Sequence, residues 1–293
     1  MNKPSLSSPD VQSRWQLVGA LFGSISALLI GFADLFGRRV VGASSATTAA
    51  ATMQFVAIFS ALGSMVLVAS SFGWRDLVIG ALSGLGMGAG LALYYGGIAR
   101  SSSTVVAPLV GVMSAVIPYG YTLVTGARPS PLALGGAIIA FAGLAIITAG
   151  KPKGRAAFVR TGLTWGFASG LGYGFGLSVI IGASSESGAW PAVSQRVIAF
   201  LLMVVVARGV SAPVIPPKGV RLSAVTAGVF AGLTTIFFLI GVQTDAPPAV
   251  VTASMFPAAS VAIGRFVYRD PVTRMQAVGI GVVLLGVAGV VGG

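Results

Sequence analysis

The residue pattern from Leu77 to Gly150 returns from Arg221 to the C-terminus. When one copy is slid onto the other, Gly84, Gly88 and Gly97 fall on Gly228, Gly232 and Gly241. After a one-residue slip, Gly136 and Gly143 fall on Gly279 and Gly286. Upstream, Gly19, Gly23, Ser26, Gly31 and Phe32 fall on Gly162, Gly166, Ser169, Gly174 and Phe175, and Gln54 falls on Gln195. Glycines held in register inside two similar apolar patterns predict a duplicated chain, and a repeat constrains the fold before any local propensity is consulted. The reading divides the chain into a first repeat at 1–150 with a polar tail at 1–16, a basic connection at 151–160, and a second repeat at 161–293.

What each copy is made of follows from composition. Hydrophobic residues make up 55% of the chain and charged ones only 8%, which no soluble globular domain matches. A helix needs about 20 apolar residues to cross the hydrocarbon layer. Ten segments qualify, at 17–37, 45–70, 76–98, 103–125, 131–150, 161–183, 190–209, 221–243, 247–268 and 272–292. They are read as helices because a segment in lipid must satisfy its own backbone. Five spans per copy is an odd number, so the second copy enters from the opposite side. The expected fold is therefore an all-α integral membrane protein, with ten transmembrane helices as two inverted five-helix repeats around a central cavity.

Several chemistries are excluded early. The chain has no cysteine and no histidine, and its six acids are scattered, so neither a metal centre nor a cofactor is expected. A retinal site would need a lysine in a span, yet Lys3, Lys151, Lys153 and Lys218 all fall outside. An intramembrane serine protease would need a histidine beside its serine. The net charge of +12 would point to nucleic acid in a soluble protein, but here most cations sit in short connections, where topology and lipid headgroups account for them. No enzyme and no nucleic-acid partner is expected. The first apolar run is long enough to remain as a span, so no separate signal peptide is read at 1–16. Loops after odd-numbered segments carry most of the arginines and lysines, which puts both termini outside the cytoplasm by the positive-inside rule.

Within the spans, small residues four apart at Gly19/Gly23, Gly84/Gly88, Gly162/Gly166 and Gly228/Gly232 predict close helix approach. Pro108 and Pro118 in the fourth segment and Pro257 in the ninth predict kinks, since each removes a backbone hydrogen bond. Trp15, Trp74 and Trp190 fall at segment ends and read as interface anchors. Tyr94, Tyr119, Trp165, Tyr173, Phe237 and Phe238 lie at span depth and are the candidate lining of a cavity for a partly apolar small molecule. For any one of them, packing or lipid contact is an equal reading. The intramembrane polar candidates are Gln54, Gln195 and Arg196, the last being an ionisable group well inside a span. Asp34, near the end of the first segment, is read as pairing with Arg38 one turn on.

Ten spans, the five-plus-five duplication and certain local runs together resemble the drug/metabolite transporter superfamily, in its EamA branch. The runs are Gly97-Ile98-Ala99-Arg100-Ser101-Ser102, Ala107-Pro108-Leu109 and Arg128-Pro129-Ser130, and Arg196 is similar to an arginine common near that point. The resemblance covers nearly the whole chain. It departs where a Gly-Glu pair usually closes the fourth and ninth helices, since here Gly126-Ala127 and Tyr268-Arg269 stand there. It implies export of amino acids and related metabolites, with the ten-helix size similar to the aromatic amino acid exporters. The expectation is thus an exporter of small metabolites, amino acids with aromatic or other hydrophobic side chains favoured, in a bacterial inner membrane. It would work by alternating access down the substrate gradient, without a carboxylate proton relay, because no acid lies mid-span. Ion-coupled export of a drug or other metabolite, a channel and an intramembrane enzyme stay open as alternatives. The expected partners are the small-molecule substrate and membrane lipids, and the oligomeric state is open, a monomer included.

Overall fold

The computed structural model describes residues 9–101, 103–148, 156–269 and 272–293. Every regular element among them is helical: α1 (Pro9–Ala43), α2 (Ala46–Gly63), α3 (Trp74–Arg100), α4 (Ser103–Val124), α5 (Pro131–Thr148), α6 (Ala156–Ile181), α7 (Trp190–Gly209), α8 (Arg221–Thr244), α9 (Ala246–Ala253), α10 (Phe256–Tyr268) and α11 (Arg274–Gly292). Eight spans are long and apolar enough to cross a membrane, with α9 and α10 together forming one of them, Ala246–Val267. The fourth and fifth segments carry shorter apolar runs, Leu109–Val124 and Pro131–Ile147. The chain is a multi-span helical integral membrane protein.

Three boundaries depart from expectation, each for a physical reason. α1 runs from Pro9 to Ala43 rather than 17–37: a polar stretch precedes the apolar run, and past Arg38-Arg39 the helix continues through the buried Val40. The second segment stops at Gly63 and closes in a single 3-10 turn at Ser64–Val66, where the Ser64 hydroxyl bonds back to Ala61 (2.6 Å). The sixth begins at Ala156, so 156–160 of the expected connection is helix. Residues 1–8 of the polar tail and 151–155 of the connection lie outside the described residues, as does the side chain of Pro108.

Helices associate here by close packing, since lipid offers no hydrophobic drive. α1 lies along α8, α9 and α10, with α2 also on α8; α6 lies along α3 and α4, with α7 also on α3. The two four-stave groups meet where α2 packs on α7, and α5 and α11 pack on each other beside them. A methyl group built on Gly136 would stand 2.6 Å from the Gly286 carbonyl oxygen, and one on Gly143 would stand 2.9 Å from that of Gly279. Those backbones are therefore in contact. Positions matched by the repeat make matched bonds. The Ser26 hydroxyl donates to the Thr234 carbonyl (3.1 Å) and the Ser169 hydroxyl to the Gly90 carbonyl (2.7 Å).

The two ends of the bundle differ. At the end holding the C-terminus, Asp76 at the head of α3 takes the amide (3.0 Å) and hydroxyl (2.6 Å) of Ser184 and pairs with Arg75 (3.3 Å). Gln243 of α8 reaches the Ser184 carbonyl (3.2 Å), and Ser71 N–H donates to the Glu186 carbonyl (2.8 Å). α4 also packs on α9 there, with no comparable packing on α10. Towards the other, basic end, all six residues from Leu91 to Gly96 of α3 are half-accessible. Six residues exceed one turn and a half, so accessibility on every face means a cleft inside as well as lipid outside. α9 is buried from Pro248 to Ala253, whereas α10 is largely half-accessible. The molecule is more closely tied at one end and cleft at the other.

Candidate functional site

At the waist, where the two groups meet, lies a chain of polar side chains. Arg196 of α7 is 7% exposed. Its Nη1 donates to Gln54 Oε1 on α2 (2.8 Å), and its Nη2 donates to the Ala231 carbonyl (2.7 Å) and to the Thr235 hydroxyl, both on α8. Thr235 in turn donates to Gln195 Oε1 (3.3 Å), Gln195 Nε2 to the Ser83 hydroxyl on α3 (2.7 Å), and Ser83 to the Gly176 carbonyl on α6 (2.6 Å). Five helices are tied through one guanidinium and two amides. A buried cation is costly unless paired or well bonded. Here, among the described residues, its partners are neutral oxygens, and Arg196 Nε is buried without a partner.

Nearer the basic end, the cleft carries the aromatics. Tyr94 and Tyr95 of α3 have ring centroids 5.5 Å apart. Tyr173 of α6 comes against α3, so that a methyl on Gly90 would meet its amide nitrogen at 2.8 Å. Trp165, one helical stretch away on α6, seats against Gly97 and carries the Arg100 guanidinium 4.5 Å above its ring, a cation–π contact. Opposite them stands Asp34 of α1. It is exposed, it accepts the Ser260 hydroxyl of α10 (2.7 Å), and it lies within electrostatic reach of Tyr94, Tyr95 and Tyr173. The bond to Ser260 ties Asp34 across to α10. Because α1 continues to Ala43, Asp34 is nine residues inside the helix end, about 13 Å at 1.5 Å per residue.

The structure thus brings Tyr94, Tyr173 and Trp165 to one cleft, and Gln54, Gln195 and Arg196 to one network. The other aromatic candidates sit elsewhere. Phe238 is buried with Leu239 and Val242 in the main apolar core. Phe237 packs on Phe22, with centroids 5.9 Å apart. Tyr119 belongs to the tied end, its ring edge-on to Phe141 at 5.5 Å. The backbone is helical through Pro108 and Pro118, while the ninth segment breaks at Ser254-Met255, with Pro257 in the first turn of α10. A proline in a first turn costs no hydrogen bond, so there it starts a helix. Asp34, Ser260, Tyr95, Ser83 and Thr235 were not among the sequence candidates. Only Asp34 had a readable signal, as a carboxylate inside a long apolar run.

No family model matches this chain, and no curated protein does. A solved crystal structure superposes on it with a TM-score of 0.73, covering 92% of this chain and 95% of that one at 16% identity. At that identity the likeness is one of fold alone.

Proposed function

We propose that the chain is a carrier built as two inverted five-helix repeats, with ten spans around a central cavity, exporting small metabolites from a bacterial inner membrane. The observation that carries this reading is the exchange of partners between the copies. The first two helices of one copy pack with the third and fourth of the other, in both combinations, and α2 meets α7 between them. The matched bonds Ser26–Thr234 and Ser169–Gly90 add to it. Two similar halves hinged at a shared contact, more closely tied at one end and cleft at the other, are what alternating access requires. With the basic end in the cytoplasm by the positive-inside rule, the cleft faces the compartment from which an exporter loads.

The cleft's aromatic lining favours amino acids with aromatic or other hydrophobic side chains, moved down their gradient, with no enzymatic step. A second reading, in which Asp34 carries a coupling ion, is favoured by one observation: that carboxylate faces the cleft among tyrosines and is held by Ser260. Counterflow of labelled phenylalanine in proteoliposomes tests both. Saturable exchange that Trp165→Ala or Tyr94→Ala lowers at least tenfold, at unchanged expression, is expected. Conductance without saturation would replace the carrier by a channel. Accumulation above equilibrium under an imposed pH gradient, abolished by Asp34→Asn, would replace the uncoupled reading by the coupled one.

A further inference from the structure

The tied end contains a chamber separate from the cleft. It holds about 150 Å³ and is bounded by Gln16 of α1, Tyr119 of α4, Arg128 in the turn before α5, Asp245 with Pro247 and Pro248 at the head of α9, and Val290 of α11. That volume equals the liquid share of about five waters, at about 30 Å³ each, or one small organic molecule. Three of its polar groups bear on what it can hold, and two of them make no hydrogen bond with the fold through their side-chain oxygens.

Asp245 is the N-cap of α9, with extended backbone (φ −152°, ψ 109°), yet its side chain makes no capping hydrogen bond. An N-cap carboxylate normally accepts the amide of the second or third helical residue. In Asp245-Ala246-Pro247-Pro248 both are prolines, which have no N–H to give. The local sequence therefore leaves a carboxylate at the head of a helix with its usual donors deleted. Burial pushes it up to about 6.

Tyr119 is the second group. It is 4% exposed, and its hydroxyl is buried without a hydrogen-bond partner. A buried hydroxyl left so costs free energy and calls for a partner. Arg128 is the third. Its Nη1 is pinned by the carbonyls of Leu123 (3.2 Å) and Ala127 (3.1 Å), which fixes the guanidinium at the chamber's mouth. Among the described residues Arg128 and Asp245 form no ion pair, so opposite charges line one small space without neutralising each other.

We propose that this chamber binds a small zwitterion, its ammonium on Asp245 and its carboxylate on Arg128 and the Tyr119 hydroxyl. The ligand supplies the donor that the prolines deny Asp245 and the acceptor that Tyr119 lacks. Pro247, Pro248 and Val290 give the space apolar walls beside the two charges. The site stands apart from the transport reading, because equilibrium binding needs no gradient and no cleft residue.

Isothermal titration of the purified full chain in detergent tests it, with glycine, methylammonium and acetate as probes. Glycine is expected to bind at least tenfold more tightly than either singly charged probe. Asp245→Asn and Arg128→Gln each weaken it at least tenfold, Tyr119→Phe weakens it severalfold, and Phe55→Ala, at an exposed position on α2, leaves it unchanged. Acetate binding as tightly as glycine, or full glycine affinity in Asp245→Asn, overturns the proposal, as does folded native protein that takes up no glycine. Should Asp245→Asn fail to run as a folded peak on gel filtration, the native protein alone decides. Glycine affinity must then fall as the pH drops through about 6, where the carboxyl protonates, and a flat profile rejects the site. Intact glycine binding beside absent counterflow would count against the carrier reading alone.

Discussion

Gln54-Phe55 on α2 and Gln195-Arg196 on α7 occupy matched positions of the repeat and meet opposite fates. Phe55 is 45% exposed, edge-on to Phe59 and tilted against Phe200 at centroid distances of 5.1 and 5.2 Å. Arg196 is buried at the waist and draws in oxygens from α2 and α8. Their glutamine neighbours part accordingly, Gln54 accepting from Arg196 and Gln195 turning to Ser83 and Thr235. On two similar helical frames, Arg196 is the polar tie across the waist, while Phe55 stands on an exposed face. The reason is stoichiometric: a guanidinium brings five N–H donors, and in a dry interface its two terminal nitrogens draw acceptors from α2 and α8 while Nε finds none.

The comparison breaks most sharply at Arg196. Arg196→Met strands Gln54 Oε1 in a buried setting, at about 1–3 kcal/mol for that unsatisfied group. We expect a lowered Tm for the detergent-solubilised protein and at least a tenfold loss of counterflow. Arg196→Lys should recover only part of both, since one ammonium cannot span acceptors on two helices with the same fork. A native Tm for the methionine variant would mean that the guanidinium ties nothing together.

Ser26→Ala and Ser169→Ala sharpen the comparison at the level of the shared frame. Each removes one interhelical bond, worth about 0.6 kcal/mol on average in a membrane. Equal losses of stability in the two variants, read by denaturant titration, are expected from matched sites. A clear inequality would show that the copies have drifted apart in packing as well as in charge. The smallest effect belongs to Phe55→Ala, which should stay within about 0.5 kcal/mol of the native protein, as for a side chain on an outer surface. Counterflow should be unchanged. A loss rivalling that of Arg196→Met would place Phe55 inside the working machinery and end the contrast.

Much of this fold could be read along the chain. The apolar segments and the matched glycines express periods and compositions local to a stretch of residues, whereas the sequence left Arg196 open between burial and reaching out to the interface. Lipid enforces helices on any apolar run of that length, so segment number and type leave little freedom. The ends were less legible: the Arg38-Arg39 pair reads as a connection although α1 continues through it to Ala43, and Asp34 was therefore placed too near the helix end. The aromatic candidates were legible as a group but not one by one. Tyr94, Trp165 and Phe238 share a chemistry and a depth, and nothing in their spacing says that the first two reach a cleft while Phe238 fills the core.

What had to wait for three dimensions is every contact between distant positions. Gln54 and Arg196 are 142 residues apart in sequence, and Asp34 meets Ser260 across 226. Helix rotation sets which face of a span looks inward, and in a membrane that rotation comes from the fit of small residues against a neighbouring backbone rather than from hydrophobicity, which is the same all round. The chamber at the tied end shows both sources at once. That Asp245 would lack its capping amides is written in Asp-Ala-Pro-Pro. That Arg128 and an unpartnered Tyr119 hydroxyl would stand around the same space follows only from how α4, α9 and α11 come together.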